Sequence, residues 1–121
     1  MKIILILFLF LAETSSAQKS KAFITDQSGN IAGPVLTQEQ VKNLAALYVT
    51  VAKDTLTIVK YDMVVPSTHQ ACINNTALFS DYTKRELAKL LPGDRFIFQN
   101  IFVKADDSTF ANVSMLSFII K

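Results

Sequence analysis

The chain opens on an unbroken apolar run, Ile3 to Ala12, preceded by Lys2 and followed at once by Glu13 and Thr14. A membrane-spanning helix needs roughly 20 apolar residues, so the run is too short for an anchor. Charge, short apolar stretch and the small residues Ser15-Ser16-Ala17 instead follow the order of a secretory signal peptide. Cleavage is expected between Ala17 and Gln18, placing the product in the periplasm or outside the cell with no stable membrane anchor. No cysteine lies near that site to carry a lipid.

Beyond the signal, Gln18 to Pro34 is a turn-rich lead-in with room for one short strand around Phe23-Ile24. Thr37-Gln38-Glu39-Gln40 has the form of a capping box, in which the threonine hydroxyl and the Gln side chain satisfy free amides of a first helical turn. Val41, Leu44 and Ala45 keep helical spacing. From Leu47 the period drops to two, with Leu47, Val49 and Val51 alternating with Tyr48 and Thr50, so the helix is expected to give way to a strand near Ala46.

Leu56 to Val65 is rich in β-branched and aromatic residues and predicts a strand with Val59, Tyr61, Met63 and Val65 on one face. Lys53-Asp54 is short enough to join it to the preceding strand as a hairpin, without the glycine that favours a tight primed turn. Pro66 closes the strand, since it has no amide to donate. A short strand at Ala71 to Ile73 and a turn at Asn74-Asn75 follow. Thr83-Lys84-Arg85-Glu86 reads as a second capping box, with Leu87, Leu90 and Leu91 as the apolar stripe of a helix ended by Pro92-Gly93. Arg95 to Lys104 is apolar on both faces and is expected at the centre of a sheet, with Phe96, Phe98 and Phe102 on one side and Ile97, Ile101 and Val103 on the other. Asp106-Asp107-Ser108 turns the chain, and Met115 to Ile120 forms a last strand with Leu116, Phe118 and Ile120 facing one way. The pattern is mostly β, with one or two short helices.

Gln18 to Lys121 is the size of one domain. Net charge is +2, with lysines and acids interspersed, which argues against a nucleic-acid partner because that would need a basic stripe. Cys72 is the only cysteine, so no internal disulfide forms. Between Ala71 and Ile73 it reads as a small buried apolar residue rather than a link to another chain.

Candidate chemistry is sparse. His69 is the only histidine, and no His and Cys spacing suggests zinc. His69 and Cys72 lie three residues apart, which in an extended chain points them to opposite faces and speaks against a nucleophile and base pair. Asp81, Glu86 and Asp94 surround the second helix; a glycosidase-like pair is open on spacing, but a helix N-terminus and a turn account for all three. No catalytic, cofactor-binding or metal-binding residue is therefore assigned, and no cofactor is expected. Asn74-Asn75-Thr76 and Asn112-Val113-Ser114 are formal glycosylation sequons.

Taken in order, Thr83-Lys84-Arg85-Glu86-Leu87-Ala88-Lys89-Leu90-Leu91-Pro92-Gly93-Asp94-Arg95, Phe96 to Lys104, the acidic turn and Leu116-Ser117-Phe118-Ile119-Ile120 resemble the C-terminal domain of gliding-motility-associated GldM proteins. The shared pattern is a short helix ending in Pro-Gly-Asp, a strand with an aromatic-x-x-Asn-Ile core, an Asp-rich hairpin and a closing strand. Ile58 to Val65 looks similar as the preceding long strand. The resemblance implies an immunoglobulin-like β-sandwich over residues 35–121, working by protein contact in the envelope of a Bacteroidetes-type bacterium. GldM proteins are anchored inner-membrane components of the gliding and type IX secretion machinery; this chain, with a cleavable signal, departs from that plan. The resemblance also marks Asp54-Thr55-Leu56 and Asp107-Ser108-Thr109 as similar to sites such bacteria O-glycosylate, although exposed turn residues are the simpler reading.

The expectation is thus an exported, non-enzymatic module whose partner is another envelope protein. Two other readings stay open: a carrier of small apolar ligands, in which the nine phenylalanines line a cavity, and a small hydrolase using His69.

Overall fold

The computed structural model describes residues 20–52 and 54–121; the expected signal, Met1 to Ala17, lies outside them. The elements run β1 (Ser20–Asp26), β2 (Val35–Leu36), α1 (Gln38–Lys42), β3 (Leu44–Val51), β4 (Asp54–Thr55), β5 (Thr57–Val65), β6 (Gln70–Asn74), α2 (Asp81–Ala88), β7 (Arg95–Lys104), β8 (Phe110–Val113) and β9 (Leu116–Ile120). One sheet has the order β1-β3-β4 and the other β2-β9-β7-β5-β6, with β8 also paired to β7. β2 and β9 are parallel, and the other pairs are antiparallel. The fold is a mostly-β sandwich with two short helices. Among the described residues no helix is long and apolar enough to cross a membrane.

The core lies between the sheets. Ile24, Leu47 and Val49 of the small sheet join Tyr61, Met63, Phe98, Ile101 and Val103 of the large one in a single cluster. An aromatic group anchors it: Phe79 stacks on Phe98 at 5.3 Å, Phe96 stacks on Phe118 at 5.2 Å, and Tyr61 meets Phe98 edge-on at 5.9 Å. Such pairings add about 0.5–1.5 kcal/mol each beyond burial. The buried Tyr61 hydroxyl donates to the Ala77 carbonyl at 3.1 Å, so its polar tip is not stranded.

Several expected elements are present. Thr37 caps α1 with both capping-box bonds, Gln40 N–H to Thr37 Oγ1 at 3.1 Å and Thr37 N–H to Gln40 Oε1 at 2.8 Å. Gly93 has a φ of 96°, and Asp94 N–H closes the Pro-Gly turn on the Leu91 carbonyl at 2.9 Å. β7 is central, between β5 on one side and β8 and β9 on the other.

Other expectations are corrected. The strand expected around Phe23-Ile24 is present but longer, and it belongs to the small sheet: β1 pairs with β3 from Ser20 to Asp26, and turns follow to Pro34. The hairpin at Lys53-Asp54 lasts only for Val51↔Asp54 and Thr50↔Thr55. Leu56 N–H then bonds the Val49 carbonyl at 2.8 Å, and the chain crosses to the large sheet, where Tyr61, Met63 and Val65 find cover from both layers.

The face assignments of β5 and β7 change for a shared reason. Their register shifts between Ile58 and Asp62, so Ile58 enters the core and Val59 is half-buried. On β7, Asn100 adopts a φ of 52° and reverses the alternation. Phe96 and Phe98 therefore share the core face with Ile101 and Val103, while Phe102 turns outward and stacks on Phe110 at 5.3 Å.

α2 begins earlier than expected. Ser80 is its cap, accepting Thr83 N–H at 3.1 Å, and Thr83 is a buried third residue of the helix. Because the helix ends at Ala88, Leu90 points inward and Leu91 is exposed.

Candidate functional site

The sandwich opens at the end where β3 turns into β4 and β7 into β8. Two turns shape this end, with Ala52 at a φ of 55° and Ser108 at 68°. Between them lies a cleft of about 630 Å³, with Val51, Leu56 and Val103 on its apolar side and Asp54, Asp106 and Asp107 at its exposed rim. Ser20, at the start of β1, and Ala111 and Asn112 of β8 also line it. The described residues lining it include no cation. Lys21 and Lys104 follow Ser20 and Val103, so strand alternation sends their side chains to the opposite faces. Asp107 Oδ1 accepts the Thr109 N–H at 3.0 Å. Hydrogen bonds from Thr109, the hydroxyl first and then the amide, hold the Asp107 carboxyl below its usual range.

The strand edges differ in how they are finished. β8 pairs with β7 on one side, and among the described residues its other edge has no backbone partner. β6 also ends its sheet, but the Asn74 side-chain amide donates to the Cys72 carbonyl at 3.3 Å. Asn74 Oδ1 in turn accepts Ser80 N–H at 2.7 Å and the Thr83 hydroxyl at 3.0 Å, tying β6 to the start of α2.

His69 and Cys72 are not brought together. His69 is exposed at the end of the Pro66 turn with a φ of 57°, whereas Cys72 is 1% exposed in the core opposite Met63. Burial first, and the Glu86 charge second, push the Cys72 thiol up and away from thiolate. The three carboxylates around α2 are also apart in role. Asp81 lies in the first turn, Glu86 is paired with Lys89 at 2.8 Å, and Asp94 Oδ2 accepts Leu91 N–H at 2.8 Å. Among the described residues no group of His, Cys, Asp and Glu side chains is arranged to hold a metal.

The phenylalanines mostly pack on one another. Phe23 borders a second open cleft, of about 440 Å³, on the outer side of the small sheet beside Tyr48 and Leu78. Of the sequons, Asn74 is 2% exposed and committed to its hydrogen bonds, whereas Asn112 is exposed on β8. Thr55 and Ser108 are exposed as well.

No family model matches the chain, and no curated protein does.

The site therefore has to be read from its own chemistry. Its features are an apolar mouth, an acidic rim and an unpaired strand edge. Sequence reading placed the acidic turn but missed the cleft, because its walls come from segments some fifty residues apart. It also missed the role of Asn74, whose only signal was an Asn ahead of a Ser/Thr-rich helix start.

Proposed function

We propose that this chain is an exported, non-enzymatic protein-contact module of a bacterial cell envelope, related to the GldM C-terminal domains. The observation that carries the reading is the unpaired edge of β8 beside the open end of the sandwich. An exposed edge offers a row of amides and carbonyls to an added strand, and neighbouring pockets give such contacts their selectivity. Export is supported by the apolar run Ile3 to Ala12 with its small-residue close. The carrier reading draws less support, since Phe79, Phe96, Phe98 and Phe118 fill the core rather than line a cavity. The hydrolase reading has His69 exposed on a turn, where among the described residues no side-chain hydrogen bond orients it as a base.

The test is a pull-down from envelope extract with the mature protein, Gln18 to Lys121, as bait. Specific retention of one envelope protein is expected, and repeated failure to retain any would sink the reading.

A further inference from the structure

We infer that the cleft at the open end takes an extended peptide segment carrying an aliphatic residue with a lysine or arginine two positions away; this rests on the protein-contact reading and names the partner's chemistry. The occupant's backbone pairs along the edge of β8 that has no partner among the described residues, from Phe110 to Val113, where the amides and carbonyls pointing away from β7 gain partners. An extended segment presents residues i and i+2 on one face. An aliphatic side chain on that face enters beside the half-buried Val51 and Leu56, above the buried Val103, and covers the apolar surface that Val51 and Leu56 leave in contact with water. A cation two positions along then reaches the rim, where Asp54, Asp106 and Asp107 stand exposed. Asp54 and Asp106 are both exposed, and among the described residues neither forms an ion pair. An acidic segment would meet like charge at the same rim, which makes the cleft selective as well as adhesive. The outer face of the large sheet is a weaker candidate: Ile73 and Val35 are exposed there, but nothing beside them specifies a partner.

The experiment uses the isotope-labelled mature protein and two capped heptapeptides, Thr-Lys-Thr-Val-Thr-Lys-Thr and its counterpart with both lysines replaced by glutamate. Amide shifts are expected in β8 and at Val51, Leu56 and Val103 with the lysine peptide. Its affinity should exceed that of the glutamate peptide by roughly fivefold and weaken with added salt. The double variant Asp54→Asn/Asp106→Asn, with its unfolding midpoint checked against wild type, should abolish most of that preference. Equal binding of both peptides, shifts confined to another surface, or no shifts at millimolar peptide would each overturn the inference. Concentration-dependent shifts in β8 without any peptide would also overturn it, by showing a second copy as the occupant. The two proposals fail separately. An envelope protein retained equally by wild type and by the double variant removes the cleft and leaves the contact function. Peptide binding without any envelope partner does the reverse.

Discussion

Asn74 and Thr83 meet in a 3.0 Å hydrogen bond in which the buried threonine hydroxyl donates to the Asn74 side-chain oxygen, fastening α2 to β6. The same oxygen takes the Ser80 amide at 2.7 Å. Asn74→Ala leaves both donors without a partner, and a buried donor left unpaired costs about 1–3 kcal/mol. The expected loss in urea unfolding is roughly 2–3 kcal/mol, against about 1 kcal/mol for Thr83→Val, which removes one donor to Asn74 and the acceptor of the half-buried Ser80 hydroxyl, itself free to turn to water. Equal and small effects would show that the junction contributes little to stability.

Ala52 occupies left-handed backbone, with a φ of 55°, at the turn between β3 and β4. That conformation costs a non-glycine residue about 1–2 kcal/mol, partly offset by the greater unfolded-state freedom of glycine. Ala52→Gly should therefore raise the urea midpoint, by about 0.5–1 kcal/mol of stability. A lowered midpoint would refute the strain.

Cys72 should resist alkylation. Its thiol is buried and its ionisation is suppressed, first by burial and then by Glu86. With iodoacetamide at mildly alkaline pH, intact mass spectrometry should find the native protein unmodified and the urea-unfolded protein carrying one adduct. Rapid labelling of the native protein would contradict the packing of β6 against α2.

Asp26 gives stability a pH dependence. The Asn30 amide is the chief cause holding its carboxyl below the usual 3.8, with smaller help from the Asn30 side chain and the Ser28 amide. A carboxyl that titrates lower when folded favours the fold in its ionised form. Its contribution is complete above the ordinary aspartate value and fades as pH falls through the lowered folded value. The gap in urea midpoint between wild type and Asp26→Asn should thus be widest near neutral pH and shrink in acid. A gap that grows in acid would reverse the assignment.

Local chemistry was legible, and pairing was not. Thr37 and Gln40 announce their helix start because both capping bonds lie within four residues, and Pro92-Gly93 announces its turn because each residue limits its own backbone. Val59 and Phe102 sit on other faces than strict alternation predicts because a bulge belongs to two strands at once. Asn100, the residue that makes the reversal on β7, donates to Asp62 Oδ2 at 2.9 Å, thirty-eight positions away. Thr83 was read as a cap because its spacing to Glu86 fits a capping box. Ser80 fills that role, and Thr83 is drawn inward by Asn74. The missing glycine at the β3–β4 turn was noticed; that Ala52 accepts the strained geometry anyway could be seen only in three dimensions.

The central strand of the large sheet arrives late. β5 must wait for β7 to emerge before its long edge is paired, and β2 must wait for β9. A chain emerging from its first residue can close the small sheet early, since β1 and β3 are near neighbours in sequence, yet it cannot complete the aromatic core until Phe96, Phe98 and Phe118 have all emerged. Topology of this kind folds slowly. If the chain is exported as proposed, slow closure would leave it loose while it is still being threaded and would reserve the finished sandwich for the far side of the membrane.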